Sequence, residues 1–493
     1  MITRIKINGF KSLLDTELFF GPFTCIAGAN AIGKSNLFDA ITFLSKLSDN
    51  TILQAAKSIR SENQKHSNIK DIFFKSGSHY LDKMSFDIDM IVPVEAEDDL
   101  GQKAVATITS LNYKLELKLN ENNEEREPIE IVEEYLIPIT QTDTRKKLYF
   151  GCDKSWIDSI LRGRRGTNNP FISTEGDKIK LHQDGGKGRS TEFIAEKMPR
   201  TLLSTVTAES PTAFLVRQEM RNWIMLQFEP SALRQPNSIF EVKNAKISAN
   251  GFNVPATLYR LQNEKKERDI YQLLTNKVKE LVSDVDEIYV EKDEKRDLLT
   301  LQIRFKDGLV LPAQSLSDGT LRFLGLAVIR EDSEHTGMIC LEEPENGMNP
   351  QKIEEMVNLL EDMVTDTECP VNDDNPLRQM IINSHSPKVV NVVSDESLYL
   401  ATEEEIFLET FGIKVKHTRF SALSDTWRTK FGLAKPVLLQ NIIAYLEVGV
   451  IPDNDNFFVC EPQGQYGKPF VGKRRRSVAE NIYSFQQKIP FQY

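Results

Sequence analysis

Apolar and polar residues alternate through Ile5-Lys6-Ile7, the period of a strand with one buried face. A second strand is predicted at Phe23–Ala27, an apolar run bounded by Gly21-Pro22. After the turn Gly28–Ser35 the period changes. Leu37, Ile41 and Leu44 fall at i, i+4 and i+7, which predicts an amphipathic helix. Alternation returns from about Met84 to Ile139, as in Thr107-Ile108-Thr109 and Tyr113–Leu117, and predicts antiparallel strands. The polar, Gly-rich stretch from Pro170 to about Gly188 reads as a surface segment. Helices are expected near Ser210–Gln227 and Glu267–Val282, and short strands through Ile288–Val310 with a hairpin at Asp307-Gly308. Buried strands and helices alternate from Leu311 to about Leu400. From about Lys435 the chain changes character and is rich in turn residues, after an opening helix over Pro436–Leu446.

The 493 residues exceed one compact core, so two or three domains are expected. Composition is that of a globular chain, 40% hydrophobic and 27% charged. No apolar run approaches about 18 residues, so no membrane span or membrane partner is expected. Met1–Arg4 leads straight into strand alternation without the shape of a signal peptide. Five scattered cysteines with no C-x-x-C pair argue against a zinc site or disulfide framework and for a reducing cytoplasm. A net charge of −11 disfavours non-specific nucleic-acid binding except through local basic clusters.

Gly28-Ala29-Asn30-Ala31-Ile32-Gly33-Lys34-Ser35 fits G-x-x-x-x-G-K-[ST]. Such a loop curls backbone N–H groups around phosphates, its lysine reaches the β/γ-phosphates, and its hydroxyl serves Mg²⁺. A strand before it and a helix after it separate this match from a chance Gly-containing turn. Met338–Glu345 places Glu342 and Glu343 after a buried apolar run, at the strand end where α/β sheets bind ligands. Glu342 suits Mg²⁺ and Glu343 can take a proton from water; alone the pair reads better as a solvated turn, and the Gly28–Ser35 loop shifts the balance to the functional reading. Ser315–Arg322 is a polar turn opening a helix; from physics alone it is a plain N-cap. Ile381–Pro387 is a buried strand ending in polar residues, where His385 can meet a γ-phosphate or serve the structure.

These residues occur in the order that resembles the RecF/SMC-like branch of the ABC ATPases. The likeness is nearest to its compact "AAA family" ATPases without long coiled coils. It is carried by Phe10-Lys11-Ser12, by Gly33-Lys34-Ser35-Asn36, by Leu316-Ser317-Asp318-Gly319-Thr320 in the place of the ABC signature, by Glu342–Gly347 as Walker B, and by Ser384–Pro387 as the switch. It covers Met1 to about Leu47 and about Val254 to Leu433. It implies an α/β, ABC-type P-loop ATPase head: a mixed sheet flanked by helices, with an inserted β-rich and helical lobe. The expected division is 1–75 and 251–433 for the head, 76–250 for the lobe, and 434–493 for an extension that either docks a partner or packs on its own domain. By resemblance, ATP is held by Gly28, Asn30, Ala31, Gly33, Lys34, Ser35 and Asn36. Ser317 and Gly319 would serve a second chain's nucleotide, Ser35 and Glu342 would hold Mg²⁺, and Glu343 and His385 would be catalytic. Self-association as a homodimer or an oligomer of dimers follows from the same resemblance.

Two positions depart from the family pattern. Glu342 stands where aspartate is usual, and Asn349 where related chains carry His or Asp. Gln54 and Gln64 are the candidates for the Q-loop residue. No TOPRIM nuclease constellation follows His385, so the layout is that of overcoming-lysogenization-defect proteins without TOPRIM. Such stand-alone ATPase subunits occur in anti-phage systems such as Septu and PARIS, which implies a nuclease partner. An ATP-gated scaffold for a toxic effector, or a RecF-like repair ATPase, stays open. The clusters Arg162–Gly166 and Lys473–Arg476 fit a DNA or RNA backbone and fit a solvated patch equally.

Overall fold

The computed structural model describes residues 1–59, 68–120, 128–163, 169–184, 190–264, 268–438 and 442. Gln64, most of Arg162–Gly166, Lys473–Arg476 and nearly all of the 434–493 extension lie outside the described residues.

A seven-stranded mixed sheet forms the head. Its order is Ile224–Leu226, Gly337–Glu342, Arg378–Ser384, Phe23–Ala27, Leu398–Leu408, Ile413–Leu423 and Lys435–Val437. The first five strands run parallel, and the hairpin Leu398–Leu408/Ile413–Leu423 is antiparallel. Phe23–Ala27 is buried throughout because the sheet is covered on both faces, which explains its unbroken apolar run. On one face, Met338, Cys340 and Ile381 pack with Leu37, Phe38, Ile41 and Leu44 of the helix Lys34–Leu47. On the other, Ile339, Leu341 and Ile382 pack with the helices Val254–Glu264, Ile270–Leu281, Asp318–Glu331 and Ile353–Asp362.

Beyond the helix Lys34–Leu47 lies an eight-stranded antiparallel sheet. It runs Thr191–Ile194, Lys178–Leu181, Ile172–Glu175, Ile129–Pro138, Ser110–Leu119, Lys83–Ile91, Ile2–Asn8 and Thr16–Phe19. The first two strands, Ile2–Asn8 and Thr16–Phe19, therefore join the lobe's sheet, while the third, Phe23–Ala27, enters the head. A small sheet built on Val285–Asp293 and Leu298–Phe305 completes the head, with Asp307-Gly308 turning it as expected.

Four expectations are corrected. Thr107–Thr109 is not a strand, because the helix Pro211–Arg221 and Arg162 take its backbone bonds: Thr107 N donates to Thr212 Oγ1 and Thr109 N to Arg162 O. The stretch 170–188 holds the hairpin Ile172–Glu175/Lys178–Leu181, turned at Gly176 with φ of 64°. The helix expected to reach Gln227 ends at Arg221, and Ile224–Leu226 becomes a parallel edge strand beside Gly337–Glu342. Lys435–Val437 pairs with Ser421–Leu423, so the helix expected from Pro436 starts as a strand. Among the described residues no helix is long and apolar enough to cross a membrane.

Glu134 locks the lobe's core. It is fully buried on Ile129–Pro138 and accepts from Leu202 N (2.7 Å), Leu203 N (2.9 Å) and Tyr113 Oη (3.1 Å). Burial pushes its carboxyl up to about 7, against the pull of those donors. Its folded pKa thus lies above the ordinary 4.5 of the unfolded chain, so its stabilisation is full below that value and is lost as pH rises toward 7. Glu134→Ala leaves two buried N–H groups without an acceptor and is expected to destabilise by about 2–4 kcal/mol at pH 5. The gap to wild type should narrow at pH 8; urea unfolding at both pH values measures it.

Candidate nucleotide site

The strand register sets the site. Ser384 pairs with Ala27, Asn383 with Ile26, Glu342 with Asn383, and Leu226 with Leu341. The C-terminal ends of four parallel strands therefore stop at one level, and their next residues line one edge. A cleft of about 680 Å³ opens there, lined by Asn30, Ala31, Gly33, Lys34, Ser35 and Asn36, and facing them by Gln227, Arg322, Glu342, Glu343 and Asn383 among others.

The loop from Gly28 to Ser35 is held from behind. Gly28 N donates to Ser384 O (3.2 Å), and Lys34 Nζ donates to Gly28 O and Ala29 O, both at 2.7 Å. Gly33 has φ of 100°, and a Cβ there would lie 2.2 Å from Thr418 Oγ1 and 2.4 Å from Ser12 Oγ. Those hydroxyls lie 2.6 Å apart; Thr418 Oγ1 also donates to Ile32 O, and Asn36 Nδ2 donates to Ser12 Oγ. Ser12 of the Phe10–Ser12 segment is thus a strut for the loop. Lys34 is buried, which lowers its pKa, while Glu343, Glu342 and Glu345 oppose that shift. An ammonium at the wall of a polar cleft, at the start of a helix, suits a polyphosphate.

The acidic turn stands opposite. Glu343 has a left-handed backbone, φ of 45°, which a non-glycine residue adopts at a cost of about 1–2 kcal/mol. Its N–H donates to Asn383 O (3.0 Å) and Asn383 Oδ1 (3.1 Å), which offsets the cost. Asn383 Nδ2 donates to Glu342 Oε1 (3.1 Å). Ser384 Oγ donates to the buried Glu345, whose carboxyl is pushed up by burial. His385 Nδ1 lies 2.9 Å from Glu343 Oε1. The acidic strand end and the switch are therefore one bonded unit, bringing Glu342, Glu343 and His385 together. Ser35 and Glu342 present hard oxygens to the same cleft, the donors that Mg²⁺ takes beside phosphate oxygens. Among the described residues no group of three or more His, Cys, Asp or Glu side chains could hold a metal alone.

Ser317 and Gly319 do not line this cleft. Ser317 caps the helix Asp318–Glu331, accepting from Thr320 N (3.3 Å), and is exposed. Gly319 is buried against the acidic turn, where a Cβ would lie 3.0 Å from Gly347 O. Asn349 caps the turn Pro350–Lys352 by accepting from Gln351 N.

Gln54 is not at the site. It closes a capping box with Thr51 on the short helix Ile52–Lys57. Gln227 lines the cleft instead, one residue beyond the edge strand and level with the acidic strand end. Its backbone is fixed by Gln227 N donating to Ala249 O (2.8 Å). Arg322 also escaped the sequence reading as a cleft residue. It lies one turn beyond the helix start and donates through Nη1 to Asn346 O (2.7 Å).

The model of a family described as an AAA ATPase domain matches residues 1–390. No curated protein matches the chain. Among solved structures, the chain is similar to an Smc head bound to the C-winged helix domain of ScpA, at 13% identity over 86% of this chain and 98% of that one, with a TM-score of 0.44. It is similar to the SMC head domain from Thermotoga maritima at 13% identity, over 84% and 97%, with a TM-score of 0.35. An Smc head with an extended coiled coil, bound to the C-terminal domain of ScpA derived from Pyrococcus furiosus, matches at 13% identity over 85% and 96%, with a TM-score of 0.38.

Proposed function

This chain belongs to the AAA ATPase domain family, and from that premise we propose that it binds ATP with Mg²⁺ and hydrolyses it. The observation that carries the reading is the Glu343–His385 pair, 2.9 Å apart, at the edge of a cleft whose opposite wall is the loop holding Lys34. Backbone N–H groups of the loop receive the phosphates, and the Lys34 ammonium offsets their charge. Ser35 and Glu342 hold magnesium, which when bound neutralises phosphate oxygens. Glu342 carries one more methylene than the usual aspartate, and Asn383 Nδ2 fixes its carboxylate from the sheet side. Glu343 takes the proton of the attacking water, and His385 orients it from Oε1.

The same reading gives a site shared by two chains. Ser317 is exposed at a helix N-terminus, away from the cleft of its own chain, so its contact with phosphate needs a second copy. The reading extends to control of a partner nuclease in anti-phage defence, on the strength of the sequence resemblance.

Glu343→Gln is expected to keep ATP binding and lose turnover by a factor of about 10² or more, because the amide cannot accept the proton. Phosphate release with nucleotide binding measured in parallel checks it; unchanged release places the base elsewhere. Mixing Lys34→Ala with Ser317→Arg chains is expected to restore activity, since a head-to-tail pair retains one undamaged composite site. Confirmed mixed dimers no more active than either parent would refute sharing. The nuclease reading predicts that a nuclease co-purifies with the full chain and is lost on truncation after Val450. Retention of the nuclease would move the docking surface off the extension.

A further inference from the structure

We propose that Asn346 is the positioning residue of Glu343, and that Arg322 ties this positioning to the helix beginning at Ser317. The proposal rests on the reading of Glu343 as the base.

The Glu343 carboxylate has a donor on each oxygen. His385 Nδ1 lies 2.9 Å from Oε1, and Asn346 Nδ2 lies 2.6 Å from Oε2. The terminal torsion of a glutamate is broad, so a carboxylate held at one oxygen swings about that point. Held at both oxygens, its plane is fixed and its remaining lone pairs have a set direction. A base must present a lone pair along the line of the proton it takes, so this second anchor bears on rate rather than on binding.

The side chain of Asn346 is not needed to form the turn. The backbone does that: Asn346 N donates to Glu343 O (3.0 Å) and Met348 N to Glu345 O (3.1 Å), with Gly347 at φ of 78°. Asn346 is exposed, so its amide has water as an alternative partner, yet it lies on the carboxylate.

What holds Asn346 belongs to another element. Its carbonyl accepts from Arg322 Nη1 at 2.7 Å, and Arg322 stands on the helix Asp318–Glu331. Gly319 of that helix packs on Gly347. At the same helix start, Arg234 Nη2 donates to Leu316 O (2.9 Å) and Asp318 Oδ1 (2.6 Å), reaching from the segment that follows Gln227. A displacement of the helix therefore moves Asn346 before it moves Glu343, whose own backbone is pinned to Asn383.

The test is steady-state ATP turnover of the full chain with magnesium, across ATP concentration. Thermal melting confirms that each variant is folded. Asn346→Ala is expected to lower kcat roughly ten- to a hundred-fold with KM unchanged. Asn346→Asp, nearly the same shape, has no amide to donate to Glu343 Oε2 and should lower kcat at least as far; it carries the test if the alanine variant fails to fold. Arg322→Met should lower kcat in wild type and add little in Asn346→Ala, since both act through one contact. Asn346 variants with wild-type or raised kcat overturn the proposal, as does a rise in KM alone. Those results leave Glu343 as the base, whereas a Glu343→Gln chain that turns over normally removes the base itself.

Discussion

Everything at the cleft depends on where the strand Phe23–Ala27 is inserted. It lies between Arg378–Ser384 and Leu398–Leu408, in a register that sets Ala27 against Ser384. Parallel strands cannot shift by one residue without turning every side chain to the other face, and both faces of this sheet are buried. Sheet burial thus fixes the register, and the register fixes the level at which the phosphate loop, the acidic turn and the switch meet.

Within that frame the acidic turn is the point of greatest local constraint. Glu343 takes a left-handed backbone that glycine would adopt freely. The Glu343 carboxylate there meets both the His385 ring and the Asn346 amide. The backbone cost is met by the two acceptors that Asn383 offers to Glu343 N–H. Asn383 also fixes Glu342, so one side chain at the end of Arg378–Ser384 orients both acids.

What the sequence made legible was chemistry carried by contiguous residues. The Gly28–Ser35 loop, the strand before it and the helix after it are local features, and the structure places them as the pattern implied. Glu342, Glu343 and His385 were legible because each follows a short apolar run. Gln227 was not, because Trp223-Ile224-Met225-Leu226 continues an apolar helix in one dimension and becomes a strand only against Gly337–Glu342. Periodicity cannot separate those two outcomes over so few residues. Arg322 and Asn346 were hidden for another reason: their meaning lies in a contact between a helix and a turn 24 positions apart. Gly176 is a simpler miss, a tight hairpin turn inside a stretch whose glycines suggested a loop.

The struts behind Gly33 have a consequence for how the molecule is made. Ser12, Gly33 and Thr418 meet at one point, and the two neighbours of Phe23–Ala27 in the sheet come from beyond residue 377. On the ribosome, the loop emerges hundreds of residues before the partners that shape it. Until the strands Arg378–Ser384 and Leu398–Leu408 have left the exit tunnel, Phe23–Ala27 has no sheet to enter and its apolar residues have no place of burial. A nascent chain therefore carries the sequence of the loop long before it carries the loop's shape, and the cleft exists only once the head has closed.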